Sequence, residues 1–184
     1  MGYHTMKEKW ELGRVKVGSR DKAGNELRQF DFVVMEDPDE EEYSLHCIMF
    51  SETAQSFVAM HDSGGYIGPE DFSLALKVED ILAERLLGWS KIEVGGEMYW
   101  DMGGLLDGIP DKTILYREFD PMNDRKWMET VLYSIYETHP LEWIESEFSS
   151  TVYYVTDPEN SEEAETFSLA AIQMLLRIAG YELI

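Results

Sequence analysis

The chain has 184 residues, 44% hydrophobic and 12% aromatic, and its 37 Asp/Glu against 15 Lys/Arg leave a net charge of −22. That composition can bury a core and excludes a disordered acidic tail, while the charge argues against nucleic acid as a direct ligand and favours basic surfaces as partners. A single cysteine, Cys47, excludes a disulfide framework and a cysteine-rich metal site and suits a reducing interior.

The charge is unevenly spread. Residues 1–35 hold seven Lys/Arg and five Asp/Glu, a net of +2, whereas residues 36–184 hold eight and 32, a net of −24. Solubility alone would account for a modest excess of carboxylate, but −22 is well beyond the few units usual for a small domain. No apolar run has the length of a membrane span, and MGYHTMKEKW lacks the apolar segment of a signal peptide. A cytoplasmic protein is the expectation.

In chain order, Trp10–Gly18 and Arg28–Met35 read as strands joined around Asp21–Asn25, the second alternating Phe30, Phe32 and Val34 with Gln29, Asp31 and Val33. The acidic run Glu36–Glu42 repels itself, contains Pro38 and lacks the Gly and spaced ligands of a calcium loop, so it reads as a solvated connection. Tyr43–Phe50 is a strand. Ser51–Met60 reads as a short helix capped by Ser51, with Ala54, Phe57 and Val58 on one face. Turns at His61–Gly65 and Gly68–Pro69 follow. Phe72, Leu74, Leu76 and Val78 fit a strand, while Leu74, Val78, Ile81 and Leu82 fit a helix, and a boundary is placed near residue 75.

Val78–Leu86 reads as a helix with Val78, Ile81, Leu82, Arg85 and Leu86 on one face and Glu79, Asp80 and Glu84 opposite. Gly88 closes it, letting Trp89 fold back on the last turn. Lys91–Val94 and Glu97–Asp101 make a hairpin around Gly95–Gly96, a pair that tolerates the positive φ of a primed turn. Met102–Lys112 reads as an irregular loop. Asp120 and Pro121 open a second helix with Met128, Val131, Leu132, Ile135 and Tyr136 inward, stopped at His139–Pro140. Leu141–Glu147 and Thr151–Thr156 pair across Phe148–Ser150. Asp157–Pro158 breaks the strand, and Asn160 with Glu163 forms a capping-box pattern for a last helix that buries Phe167, Ala171, Leu175 and Ile178 and ends at Gly180.

Four features together resemble the phage ABA sandwich domain over about residues 76–184: ILAERLLGW at 81–89, the hairpin ending in Tyr99–Trp100, the Asp120–Glu137 helix with Trp127, and AAIQMLLRIAG at 170–180. The resemblance implies a phage or prophage origin and an α+β fold, an antiparallel β layer covered by helices. Residues 1–75 would be a β-hairpin-rich extension. It implies no catalytic residue. Leu86–Leu87 before Gly88 and the strong acidity of the second half depart from the family pattern.

Little in the sequence points to catalysis or a cofactor. The four His residues, at 4, 46, 61 and 139, have no metal-ligand spacing. His46 and Cys47 would face opposite ways on a strand, against a nucleophile–base pair. Ser63–Gly65 and Gly103–Gly104 lack the following Lys-Ser/Thr of a phosphate loop. His61–Asp62 is the one acid/base candidate retained, because it lies in a glycine-rich loop. Trp89, Tyr99, Trp100, Trp127, Trp143, Tyr153 and Tyr154 fit core positions between helices and sheet, with room for one or two partner anchors.

The carboxylates read better as a surface. Glu142, Glu145, Glu147, Asp157, Glu159, Glu162, Glu163 and Glu165 lie in a stretch with no Lys or Arg between Lys126 and Arg177. A helix macrodipole would explain those placed at the start of the last helix, but not Glu142–Glu147. The leading expectation is a non-enzymatic protein that presents these residues to a basic host surface and occupies the nucleic-acid groove of a defence nuclease, in the manner of an anti-CRISPR inhibitor. The alternative is a phage structural or accessory domain that self-associates through a sheet edge. An enzyme with an Asp/His site has no motif in its support.

Overall fold

The computed structural model describes residues 15–37, 42–61, 63–103, 105–106, 109–110 and 112–184. The fold is α+β, built mostly of antiparallel sheets with few helices, and it divides into two compact units. One runs to Val78 and includes Glu182–Ile184; the other is Glu79–Tyr181.

In the first unit, β1 (Lys16–Arg20) and β2 (Glu26–Arg28) form a hairpin. Its turn lies where expected, with the Asp21 carboxylate accepting the Asn25 N–H at 2.7 Å. The expected strand start at Trp10 lies outside the described residues. Arg28–Met35 is not one strand: Phe30 takes φ +69, the chain turns, and β3 (Phe32–Asp37) enters a different sheet. That sheet has the order β6-β5-β4-β3-β7, with β4 (Glu42–Ser51), β5 (Ser56–His61), β6 (Tyr66–Ile67) and β7 (Leu76–Lys77). The acidic run therefore has both ends in strands, Asp37 pairing with Glu42, and its residues 38–41 lie outside the described residues.

The helix expected over Ser51–Met60 is instead the second arm of a hairpin. Ser51 Oγ accepts the Ala54 N–H at 3.2 Å, but this closes a turn through Gln55 at φ +51, and the chain then pairs back along β4. Phe57 and Val58 thus face opposite ways, and Phe57 meets Phe50 across the strands. Pairing along a ten-residue strand outweighs a single plausible cap. The ambiguous Phe72–Val78 stretch becomes a 3₁₀ helix (Pro69–Leu74) followed by β7. Leu27, Val33, Met35, Ile48, Ala59, Phe72 and Ala75 form the core of this unit. Beside it, Lys77 Nζ lies 3.1 Å from Asp31, both side chains nearly excluded from water. Burial pushes the Asp31 carboxyl up, against the pull of Lys77.

α1 (Val78–Ile81) starts at Val78 of the first unit, and the rest of it lies in the second, where its turns continue as a π-helix over Leu82–Leu86. Gly88, at φ +67, ends it as expected, and the Trp89 N–H donates back to Ala83 O at 2.9 Å. Two members of the helix sit differently from their expected faces: Arg85 is exposed, and Asp80 is buried. β8 (Ser90–Val94) and β9 (Glu97–Asp101) close around Gly95 and Gly96, both at positive φ, and β12 (Thr113–Leu115) joins the far edge of β9. The intervening loop is not wholly irregular, since β10 (Leu105–Leu106) and β11 (Ile109–Pro110) form a small ladder inside it.

The second helix, α2 (Arg125–Ile135), starts later than expected. Asp120 spends its carboxylate on Asn123, making a turn, and Asp124 is the cap, its side chain accepting the Lys126 N–H at 3.0 Å. Met128, Val131, Leu132 and Ile135 are buried as expected, whereas Tyr136 lies past the helix and is exposed. β13 (Leu141–Glu145) and β14 (Ser150–Tyr154) pair as read.

The larger correction follows. Asp157–Ala164 is a third strand, β15, antiparallel to β14, and the Asn160/Glu163 capping box does not form. α3 (Phe167–Ile178) is capped by Thr166, which accepts the Leu169 N–H at 3.2 Å. Pairing of β15 with β14 overrides a local sequence poor in strand formers. α3 then lies against β14 and β15 and touches α2, with Phe167, Ala171, Leu175 and four neighbours buried.

Candidate functional site

Sheet register sorts the eight nominated carboxylates. On β13–β14–β15 the rows Leu141–Tyr154, Trp143–Val152–Glu162 and Glu145–Ser150–Ala164 share one face, and Glu142–Tyr153–Ser161 and Ile144–Thr151–Glu163 share the other. Leu141, Val152 and Ser150 are buried, so the first face is the inner one, on the same side as α3. Glu145 and Glu162 therefore belong with the helices, while Glu142 and Glu163 stand on the open face. Glu147 lies in the exposed β13–β14 turn, Asp157 and Glu159 at the start of β15, and Glu165 in the link to α3; all four are exposed. The register thus places two of the eight on the open face and two on the inner one, and the other four are exposed at the turn and the strand ends, Asp157 opposite Tyr154 of the inner row.

The inward pair is neutralised. Arg125 grips Glu145 with two guanidinium nitrogens at 2.6 and 3.0 Å, reaches Glu129 at 2.8 Å, and lies 4.5 Å from the centre of the Phe167 ring. Those hydrogen bonds hold the Glu145 carboxyl below its usual range and push the Arg125 guanidinium further up. From α3, Arg177 pairs with Glu162 at 2.8 Å and bonds the Asn160 side chain. The two arginines that flank the cation-free stretch thus fold back on its inner face. Among the described residues, Glu142, Glu147, Asp157, Glu159, Glu163 and Glu165 form no ion pair; Glu142 only accepts the Tyr153 hydroxyl at 3.3 Å. The whole second unit holds 21 Asp/Glu and seven Lys/Arg, a net of −14.

His46 and Cys47 do lie on opposite faces: His46 pairs across to His61, and Cys47 to Met60. The His46 ring bonds Ser44 Oγ at 2.8 Å and Ala59 O at 3.3 Å. His61 stacks obliquely on it at 5.3 Å and meets Ser63 Oγ at 2.7 Å; Asp62 lies outside the described residues. Gly64 and Gly103 sit at positive φ in turns. No group of three or more His, Cys, Asp or Glu among the described residues could hold a metal ion. No helix of the described residues is long and apolar enough to cross a membrane.

The aromatics divide as well. Trp89, Trp100 and Trp127 surround Phe119 in a core cluster, each within 6.4 Å of its ring. Trp143 packs on Phe167 at 5.1 Å, and Tyr154 stands near His139. Tyr99 and Tyr153 face away from their cores.

Two features escaped the sequence reading. Asp80, buried beneath the first hairpin, accepts the Tyr116 hydroxyl at 2.6 Å and pairs with Lys91 at 2.5 Å; Lys91 also reaches Glu84 at 3.3 Å and lies over the Trp100 ring. Its acid and base are locked together in the packing, which suits a structural pin. The second is an exposed apolar pair on the acidic hairpin, Ile144 at 62% and Phe148 at 83% exposure. Alternation along β13, with Leu141 and Trp143 facing inward, places Ile144 on the opposite face. The chain matches no family model, no curated protein and no solved structure.

Proposed function

We propose that this chain is a non-enzymatic acidic protein of phage or prophage origin that binds a basic surface of a host nucleic-acid-handling complex and blocks it by charge mimicry. It acts in the host cytoplasm, in the manner of an anti-CRISPR inhibitor, and its second unit is an ABA-type sandwich with the first as a hairpin-rich extension. One observation carries the reading. Arg125 and Arg177 are paired with Glu145 and Glu162 on the inner face, and the six remaining carboxylates of the stretch are exposed and form no ion pair among the described residues. Duplex DNA carries one charge per roughly 1.7 Å of axis, and a compact unit of net −14 is matched to a groove built for that polymer. The placement of α3 along β14 and β15 supports a helix-covered β layer. Self-association through this sheet is disfavoured, since two copies meeting there would bring like charges together.

The test is affinity capture from a bacterial host lysate at low and at high salt, with proteins identified by mass spectrometry. Recovery of a nucleic-acid-binding complex at low salt only, displaced by added duplex DNA, is the expected result. Capture of nothing but this chain itself would refute the reading.

A further inference from the structure

Resting on that reading, we propose that the open face of β13–β14–β15 with its hairpin tip docks a protein segment that carries Lys or Arg around an apolar anchor. Ile144 and Phe148 supply this chain's half of the apolar contact. The open face is unpartnered by α3, which covers the other side. Ile144 stands in the row nearer the hairpin tip, with Glu163 two strands away in that row and Glu142 two residues earlier on its own strand, and Phe148 follows at the tip beside Glu147.

Single exposed apolar residues are ordinary, but these are two large side chains four positions apart on one hairpin, ringed by carboxylates. A small apolar centre inside a polar rim is the anatomy of a binding hot spot. The rim's sign selects the occupant. β13–β15 and the turns between them contain no Lys or Arg, and Arg125 and Arg177 are engaged on the other face. Nucleic acid and anionic lipid carry the wrong charge, whereas a cationic protein segment has the right one. The tip is also ordered in advance: Ser146 Oγ accepts the N–H groups of Phe148 at 3.3 Å and Ser149 at 3.0 Å, and the Ser146 N–H donates to Ser149 O at 2.8 Å. Displaying Phe148 therefore costs little conformational entropy on binding.

The experiment uses the full chain and two labelled twelve-residue probes of equal charge, one alternating Lys with Leu and one alternating Lys with Gly, followed by fluorescence anisotropy. The Lys-Leu probe is expected to bind more tightly. Its affinity should fall about tenfold or more in Phe148→Ala with Ile144→Ala, while that of the Lys-Gly probe and the salt dependence of both stay unchanged. Both residues are exposed, so these variants keep the fold, which circular dichroism verifies. Equal binding of the two probes, or indifference of the Lys-Leu probe to the double variant, overturns the anchor and leaves the electrostatic reading standing. Failure of both probes to bind at low salt overturns the two together.

Discussion

Replacing Lys91 by Met removes the positive member of the pin beneath the first hairpin of the second unit. Asp80 and Lys91 side chains are 8% and 18% exposed, and their atoms meet at 2.5 Å. Breaking a buried pair by deleting one partner typically costs about 3–5 kcal/mol, because the remaining charge is stranded. Here Asp80 keeps the Tyr116 hydroxyl at 2.6 Å, and Met retains the apolar stem over Trp100. The expected loss is therefore at the lower end, about 3 kcal/mol. The reverse change, Asp80→Asn, should cost less, since Lys91 can turn to Glu84 at 3.3 Å and to water. Urea unfolding followed by tryptophan fluorescence reads the effect. Trp89, Trp100, Trp127 and Trp143 all lie in the second unit, and a Trp10→Phe background removes the fifth. With a slope of about 2 kcal/mol/M, the Lys91→Met midpoint should drop by about 1.5 M, and the double variant should be less destabilised than the sum of the singles. An unchanged midpoint, or strict additivity, would refute the pin.

Other consequences are smaller and separable. Glu145→Gln should cost about 1 kcal/mol or less at neutral pH, the pair being partly solvated. Because Arg125 lowers the folded pKa of Glu145 below its ordinary 4.5, the contribution is complete above the unfolded value and vanishes as pH falls through the folded one. Stability of wild type and variant should then converge in acid, as urea titrations at several pH values would reveal. Thr166→Ala should destabilise by about 1 kcal/mol through loss of the α3 cap, while Glu163→Ala, on the open face of a strand, should leave the midpoint nearly unchanged; a capping-box helix would reverse that order. Gln55→Gly should hold or raise the melting temperature, since Gly adopts φ +51 without the steric penalty of a side chain.

What the sequence made legible follows the strength of its local signals. Gly88, Gly95–Gly96 and Gly180 marked true chain reversals because only a residue without a Cβ takes those φ values cheaply. Met128, Val131, Leu132 and Ile135 marked a helix face because their spacing has one physical reading. Where two local signals competed, long-range pairing decided. Ser51 has the chemistry of a helix cap, yet it closes a hairpin turn; Asn160 and Glu163 have the chemistry of a capping box, yet β14 recruits them as a strand. Asp120 and Asp124 are equally good caps in isolation, and the choice between them turned on Asn123 occupying the first. The acidic stretch was visible as composition, but its division into outward and inward carboxylates was not. That division depends on a register fixed only by pairing with β14, and on two arginines, Arg125 and Arg177, that lie just beyond the stretch in sequence and fold back onto it. Asp80 is a similar case: its partner Tyr116 is 36 residues away, a distance over which helical periodicity carries no information.

The most direct measurement is the salt dependence of affinity for the captured basic complex, comparing wild type with two neutralised sets. One changes the six exposed residues that form no ion pair among the described residues, Glu142, Glu147, Asp157, Glu159, Glu163 and Glu165, to their amides, and the other changes only the inward pair Glu145 and Glu162. Charge mimicry from the exposed carboxylates predicts a steep fall of wild-type affinity with salt, a flattened slope and weak binding for the six-residue set, and a wild-type slope for the inward pair. A flat wild-type slope, or equal loss from the two sets, would contradict it.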